Sequence, residues 1–113
     1  MSVVSRTLDL ACEIQQIPAP TFAEHDRAAF VRDQFAKAGL VDVWVDELGN
    51  VYGRRPGAGR SRPLLVTAHT DTVFPADTAL TLLRRPELIS GPGIGDNSLG
   101  VAGLFALLWA LGD

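Results

Sequence analysis

Apolar positions near the start of the chain recur at helical spacing. Leu10, Ile14 and Ile17 fall on one face, and Ser5 stands where a hydroxyl can cap a first turn. The pattern predicts a helix from Ser5 to about Ile17. Pro18 and Pro20 end it, because proline lacks a backbone donor and restricts the residue before it. Thr21 and Glu24 have capping-box spacing, in which hydroxyl and carboxylate each satisfy the other's backbone N–H. A second helix is expected to run to about Ala38, with Phe30, Val31 and Phe35 facing inward and Gly39 as its stop. The period then changes from helical to two. Val41 to Asp46 alternates like a half-buried strand, Gly49-Asn50 supplies a turn, and Val51 to Arg54 is a second strand. Pro56 to Pro63 is a loop. Leu64 to Ala68 is an apolar run of strand length, the pattern of a strand covered on both faces. Leu80 to Leu83 and Leu88 to Ser90 flank turn residues and predict a small hairpin. The Gly-rich loop Gly91 to Asn97 leads into a helix from Ser98 to Leu111, apolar nearly all round and in need of cover on several sides. This order predicts an α/β layered fold. There is no internal repeat.

Composition narrows the classes of function. A chain of 113 residues is enough for one compact domain, and 47% apolar with 20% charged residues excludes a disordered tail. The net charge is −3, and basic residues cluster no further than the pairs Arg54-Arg55 and Arg84-Arg85, so no nucleic-acid partner is expected. The single Cys12 excludes an internal disulfide and fits a reducing, cytoplasmic setting. With no basic residue beside it in sequence, Cys12 reads as a small apolar residue of the first helix. No secretory signal is expected from the first residues. Val101 to Leu111 is too short for a membrane span of roughly 20 residues, so no membrane partner is expected.

Two segments carry candidate chemistry. The first is Thr67-Ala68-His69-Thr70-Asp71-Thr72-Val73, at the C-terminal end of the expected buried strand, where ligands bind in open α/β sheets. Side chains two apart on extended backbone share a face, so His69 and Asp71 can meet. A neutral imidazole is a good zinc ligand whose second ring nitrogen needs an acceptor, and Asp71 is placed to be that acceptor. The plainer reading is a solvated polar strand end. The second segment is Gly91-Pro92-Gly93-Ile94-Gly95-Asp96-Asn97-Ser98. Asp96 there either favours the helix N-terminus through its charge or ligates metal, since a carboxylate has two oxygens and can bridge two ions. Asn97 or Ser98 would serve as the cap without it. A dinucleotide loop is a weaker reading, because the sixth position from Gly91 is Asp96 and from Gly93 is Ser98, neither of them glycine. His25, Trp44, Trp109, Arg84 and Arg85 read as solvated or packing residues.

Together the stretches Leu64 to Pro75 and Gly91 to Ala102 resemble the first two motifs of the co-catalytic zinc exopeptidase and deacylase family. Members include glutamate carboxypeptidase, tripeptide aminopeptidase, acetylornithine deacetylase, succinyl-diaminopimelate desuccinylase and aminoacylase. The lead-in segments Ile17-Pro18-Ala19-Pro20-Thr21 and Glu47-Leu48-Gly49-Asn50-Val51-Tyr52-Gly53-Arg54 also resemble the family's. The resemblance implies that residues 1–113 are the N-terminal portion of a layered helix and mixed-sheet catalytic domain. It implies His69 as a terminal zinc ligand, Asp71 as the carboxylate that holds His69, and Asp96 as the bridge between two zinc ions, with Co2+ or Mn2+ as alternatives. Asn97 receives no role. Hydrolysis of a peptide or N-acyl-amino-acid amide by hydroxide held between the zincs, peptidase favoured, is the implied activity. A homodimer is open to the complete protein. The family's adjacent Glu-Glu pair, a later acidic ligand, a later His ligand and a lid or dimerisation domain have no counterpart here. The chain alone is therefore expected to be incomplete and inactive, and a non-catalytic module that keeps the fold is the alternative.

Overall fold

The computed structural model describes residues 1–59 and 62–112. Arg60 and Ser61, part of the loop expected from the sequence, lie outside the described residues.

The first helix, α1, spans Val3–Gln15. Its cap stands three residues earlier than its pattern predicts, because Ser2 is the cap and its Oγ accepts from the Ser5 N–H at 3.1 Å. Ser5 is the residue being capped. Leu10, Ala11, Ile14 and Gln15 are buried, whereas Ile17 lies beyond the helix and is half-buried. The second helix, α2, spans His25–Lys37, and Gly39 follows it with φ 83°. Val31 and Phe35 point inward as expected, joined by Arg27 and Ala28, while Phe30 is only half-buried. The expected capping box does not form. Glu24 accepts from the Phe22 N–H, two residues away, and no side chain caps α2.

Strands β1 (Val41–Val45) and β2 (Val51–Arg54) pair antiparallel, with an irregularity between Val41 and Trp44. Asp46 makes the turn by accepting from the Leu48 and Asn50 N–H groups. Strands β3 (Leu83–Arg85) and β4 (Leu88–Ser90) form the small hairpin, shifted so that Arg84 and Arg85 belong to a strand. Arg84 is not free at the surface: its Nη1 donates to Asp9 of α1 at 2.8 Å and lies 4.0 Å from the Cys12 sulfur. Folding thus gives Cys12 a basic neighbour absent from its surroundings in sequence.

One expected strand does not form. Leu64 to Ala68 joins neither two-stranded sheet, and Leu64 and Leu65 are 85% and 82% exposed. A strand covered on both faces needs a neighbour along each edge and a layer above and below. Here β1–β2 and β3–β4 pair only within themselves.

The third helix, α3, spans Leu99–Leu111 and follows an irregular π-type turn at Ile94–Ser98, in which Asp96 and Asn97 leave helical backbone. At 1.5 Å per residue its 13 residues reach about 20 Å, short of a hydrocarbon core of about 30 Å. The core is where the three helices meet: Leu10, Ala11 and Ile14 of α1, Val31 and Phe35 of α2, and Val101, Ala102 and Phe105 of α3. The Phe35 and Phe105 rings sit 5.2 Å apart and tilted. Val43 of β1 and Val51 of β2 pack against this cluster. The architecture is α/β, with helices and small antiparallel sheets.

Candidate metal centre

Two chain segments meet at one corner of the molecule, and neither reaches it by local preference alone. The segment after Ala68 is tied to the link between α1 and α2. The Thr72 N–H donates to the Ala19 carbonyl at 2.8 Å, and Pro20 and Thr72 form an isolated parallel bridge. Arg27 adds a second tie. It is 3% exposed, and its guanidinium donates twice to the Ile17 carbonyl and once, at 2.9 Å, to the Thr70 carbonyl. Burial pulls its pKa down, while the nearby charge of Asp71 pulls it up.

The Gly-rich loop is tied to the end of α1. Gln15 is buried, and its Nε2 donates to the Pro92 carbonyl at 2.9 Å and the Leu80 carbonyl at 3.3 Å. Gly93 takes φ 76°, a conformation most side chains avoid, at the point where the loop turns toward α3. Asn97 then links the two segments, its Nδ2 donating to the His69 carbonyl at 3.2 Å.

These ties put His69, Asp71 and Asp96 together. The His69 Nδ1 lies 3.2 Å from Asp71 Oδ1 and 3.2 Å from the Asp71 carbonyl. The His69 Nε2 lies 3.0 Å from Asp96 Oδ1. The second oxygen of Asp71 accepts from the Thr21 hydroxyl at 2.6 Å. That bond is the main reason the Asp71 carboxyl sits below the usual carboxylate range, with desolvation opposing it and His69 adding to it. The corner is open: His69 and Asp96 are exposed, and neither of two shallow surface depressions is lined by any of the three residues.

Both ring nitrogens of His69 therefore face carboxylate oxygens, which only accept. A neutral ring carries one N–H. If that proton sits on Nδ1 toward Asp71, the Nε2 lone pair faces Asp96, and a cation between them resolves the conflict. Imidazole nitrogen and carboxylate oxygen are ordinary zinc donors, and two such donors on one tetrahedral ion stand about 3.3–3.6 Å apart, given bonds near 2.0–2.2 Å. The donor set fits zinc in kind, but it is short in number. Among the described residues, no group of three or more His, Cys, Asp or Glu side chains could hold a metal ion.

The three candidate residues of the sequence come together in the fold, held by supports that the sequence does not reveal. The spacing of Thr21 suits a capping box and that of Asn97 a helix cap, yet their side chains bond Asp71 and the His69 carbonyl. Gln15 and Arg27 carry no spacing signal, because each acts on a carbonyl more than 40 positions away.

An α/β chain that gathers an imidazole and two carboxylates at one open corner has the groups of a hydrolytic metalloenzyme. It belongs to Peptidase family M28, a family of co-catalytic zinc peptidases, whose match covers residues 50–113, more than half of the chain. The matched region contains His69, Asp71 and Asp96, whereas α1, α2 and β1 precede it. No curated protein matches the chain.

Proposed function

We propose that this chain is the N-terminal portion of the catalytic domain of a zinc-dependent exopeptidase, with His69 and Asp96 as metal ligands and Asp71 as the carboxylate that holds His69. The observation that carries the reading is the two-sided engagement of the His69 ring, Nδ1 toward Asp71 and Nε2 toward Asp96.

Zinc held at such a site would polarise the scissile carbonyl and lower the pKa of water toward about 7. The chain's own residues do the rest of what is described here. Asp71 accepts at Nδ1, which fixes the tautomer and leaves the Nε2 lone pair outward. Asp96 enters from the loop before α3 with one oxygen beside Nε2, and its carboxylate would help to hold the metal. Asn97 holds the His69 backbone so that the ring and the Asp96 carboxylate keep their spacing. Membership of a peptidase family supports a peptide over an N-acyl amino acid as substrate. A cytoplasmic setting belongs to the same proposal.

Because the described residues supply only two ligand side chains, the remaining ligands and the general base are assigned to other parts of a longer protein. The test is a calorimetric zinc titration of the 113-residue chain and its His69→Ala and Asp96→Ala variants, with assays on unblocked dipeptides and acyl-amino acids. Weak binding that each variant abolishes, without turnover, is the expected result. Binding indifferent to both variants would refute the ligand assignment, and tight uptake of two ions or turnover by the chain would refute the ligand count.

A further inference from the structure

The geometry points to Thr21 as a positioning residue of this site: its hydroxyl holds one oxygen of Asp71 so that the other stays on the His69 ring. The inference rests on the proposed role of Asp71. Thr21 Oγ1 donates to Asp71 Oδ2 at 2.6 Å, while Asp71 Oδ1 lies 3.2 Å from His69 Nδ1. A carboxylate held through a single oxygen is loosely constrained, because the terminal torsion of Asp is broad and roughly two-fold. A strong donor on the second oxygen removes that freedom.

Thr21 is delivered to Asp71 by the tertiary structure. Pro20 bridges Thr72, the Ala23 N–H donates to the Pro20 carbonyl at 2.8 Å, and Thr21 occupies the resulting turn. Phe22 follows with φ 71°, at the turn position where glycine is favoured. A phenylalanine kept in that conformation indicates a turn imposed by its surroundings rather than by local preference. The hydroxyl is not the cap of α2, whose N-cap residue is Glu24. The capping-box spacing of Thr21 and Glu24 thus disguises a contact made across 50 positions of sequence.

The test compares the wild-type chain with Thr21→Val, Thr21→Ser, Asp71→Ala and the Thr21→Val/Asp71→Ala double variant. Zn2+ alone is titrated and followed through the His69 ring resonances, which report weak binding as well as tight. Thermal unfolding runs alongside. Thr21→Val is expected to weaken zinc binding about 3–10-fold, less than the roughly 10–100-fold from losing Asp71 itself. Thr21→Ser keeps the hydroxyl and is expected to restore binding to within about twofold, and Thr21→Val to add nothing once Asp71 is gone. In the metal-free chain, the ring nitrogen shifts of His69 should show the Nδ1–H tautomer depleted in Thr21→Val and retained in Thr21→Ser.

The failures separate. If Asp71→Ala weakens zinc binding and Thr21→Val does not, the role of Thr21 is wrong and that of Asp71 stands. If Asp71→Ala has no effect, both fall. If Thr21→Val costs as much in the Asp71→Ala background as in the wild type, Thr21 acts through the fold and the inference is overturned.

Discussion

Arg27 places a guanidinium almost out of water and gives it backbone carbonyls as partners. Its removal leaves the Ile17 and Thr70 carbonyls without those donors, each worth about 1–3 kcal/mol when buried and unpaired. Arg27→Ala is expected to destabilise the chain by about 2–4 kcal/mol in urea unfolding and to loosen the Thr70 segment between His69 and Asp71. Ser98 presents the opposite case. Its buried hydroxyl has no hydrogen-bond partner among the described residues. Ser98→Ala is expected to be neutral or to stabilise by up to about 1 kcal/mol in the same measurement. At the surface, Asp46 illustrates linkage. The Asn50 side chain is the main cause of its pKa lying below the ordinary 3.8. A lowered folded-state pKa contributes stability that is present above the unfolded value and is lost as pH falls through the folded one. A carboxyl titration by NMR should therefore place the Asp46 midpoint below that of an ordinary aspartate, and Asn50→Ala should move it up. A midpoint unmoved by that variant would show that the turn hydrogen bond is not the cause.

At the scale of elements, α1 separates two caps that the sequence alone does not distinguish. Ser2 and Ser5 both precede apolar positions at helical spacing, yet only Ser2 accepts from a first-turn N–H. Ser2→Ala is expected to cost about 1 kcal/mol and Ser5→Ala less than about 0.5 kcal/mol, read by thermal unfolding. Equal losses would contradict the placement of the cap. The β1–β2 hairpin shows how exposed aromatics can serve a sheet. Trp44 and Tyr52 sit on its open face with rings stacked 4.6 Å apart, a cross-strand pair in register. At the far end of the molecule, Arg6 of α1 lies 3.9 Å over the Trp109 ring, so α1 and α3 are joined by a cation–π contact as well as by apolar packing.

The whole molecule carries more exposed apolar surface than its core requires. Leu64, Leu65 and Val66 are exposed along a stretch that joins neither sheet, and Leu99, Leu107 and Leu111 are exposed on α3. Contiguous apolar patches and unpaired extended backbone favour association. The chain is expected to self-associate with rising concentration in sedimentation velocity, and a Leu64→Lys/Leu65→Lys variant to shift it toward monomer. A wild-type chain that stays monomeric across the concentration series would show that this stretch is not adhesive.

Local periodicity determined α1, α2, the β1–β2 hairpin and the inward faces of Leu10, Ile14, Val31 and Phe35, and an unbroken apolar run after a Gly-rich loop determined α3, because those features depend on side chains a few residues apart. Residue chemistry and motif spacing also singled out His69, Asp71 and Asp96 as candidates, since only a few residue types supply donors for a metal, and the fold brings the three together. What decides whether such residues meet is contact between distant segments, and local spacing carries no record of that. Tertiary structure alone assigned Thr21 to Asp71, Arg27 to the Thr70 carbonyl, Gln15 to the Gly-rich loop and Asn97 to the His69 carbonyl. It also left Leu64 to Ala68 unpaired, although their composition suits a covered strand. An apolar run records a preference for burial, but pairing depends on whether neighbouring strands present their edges, and here those strands pair with each other.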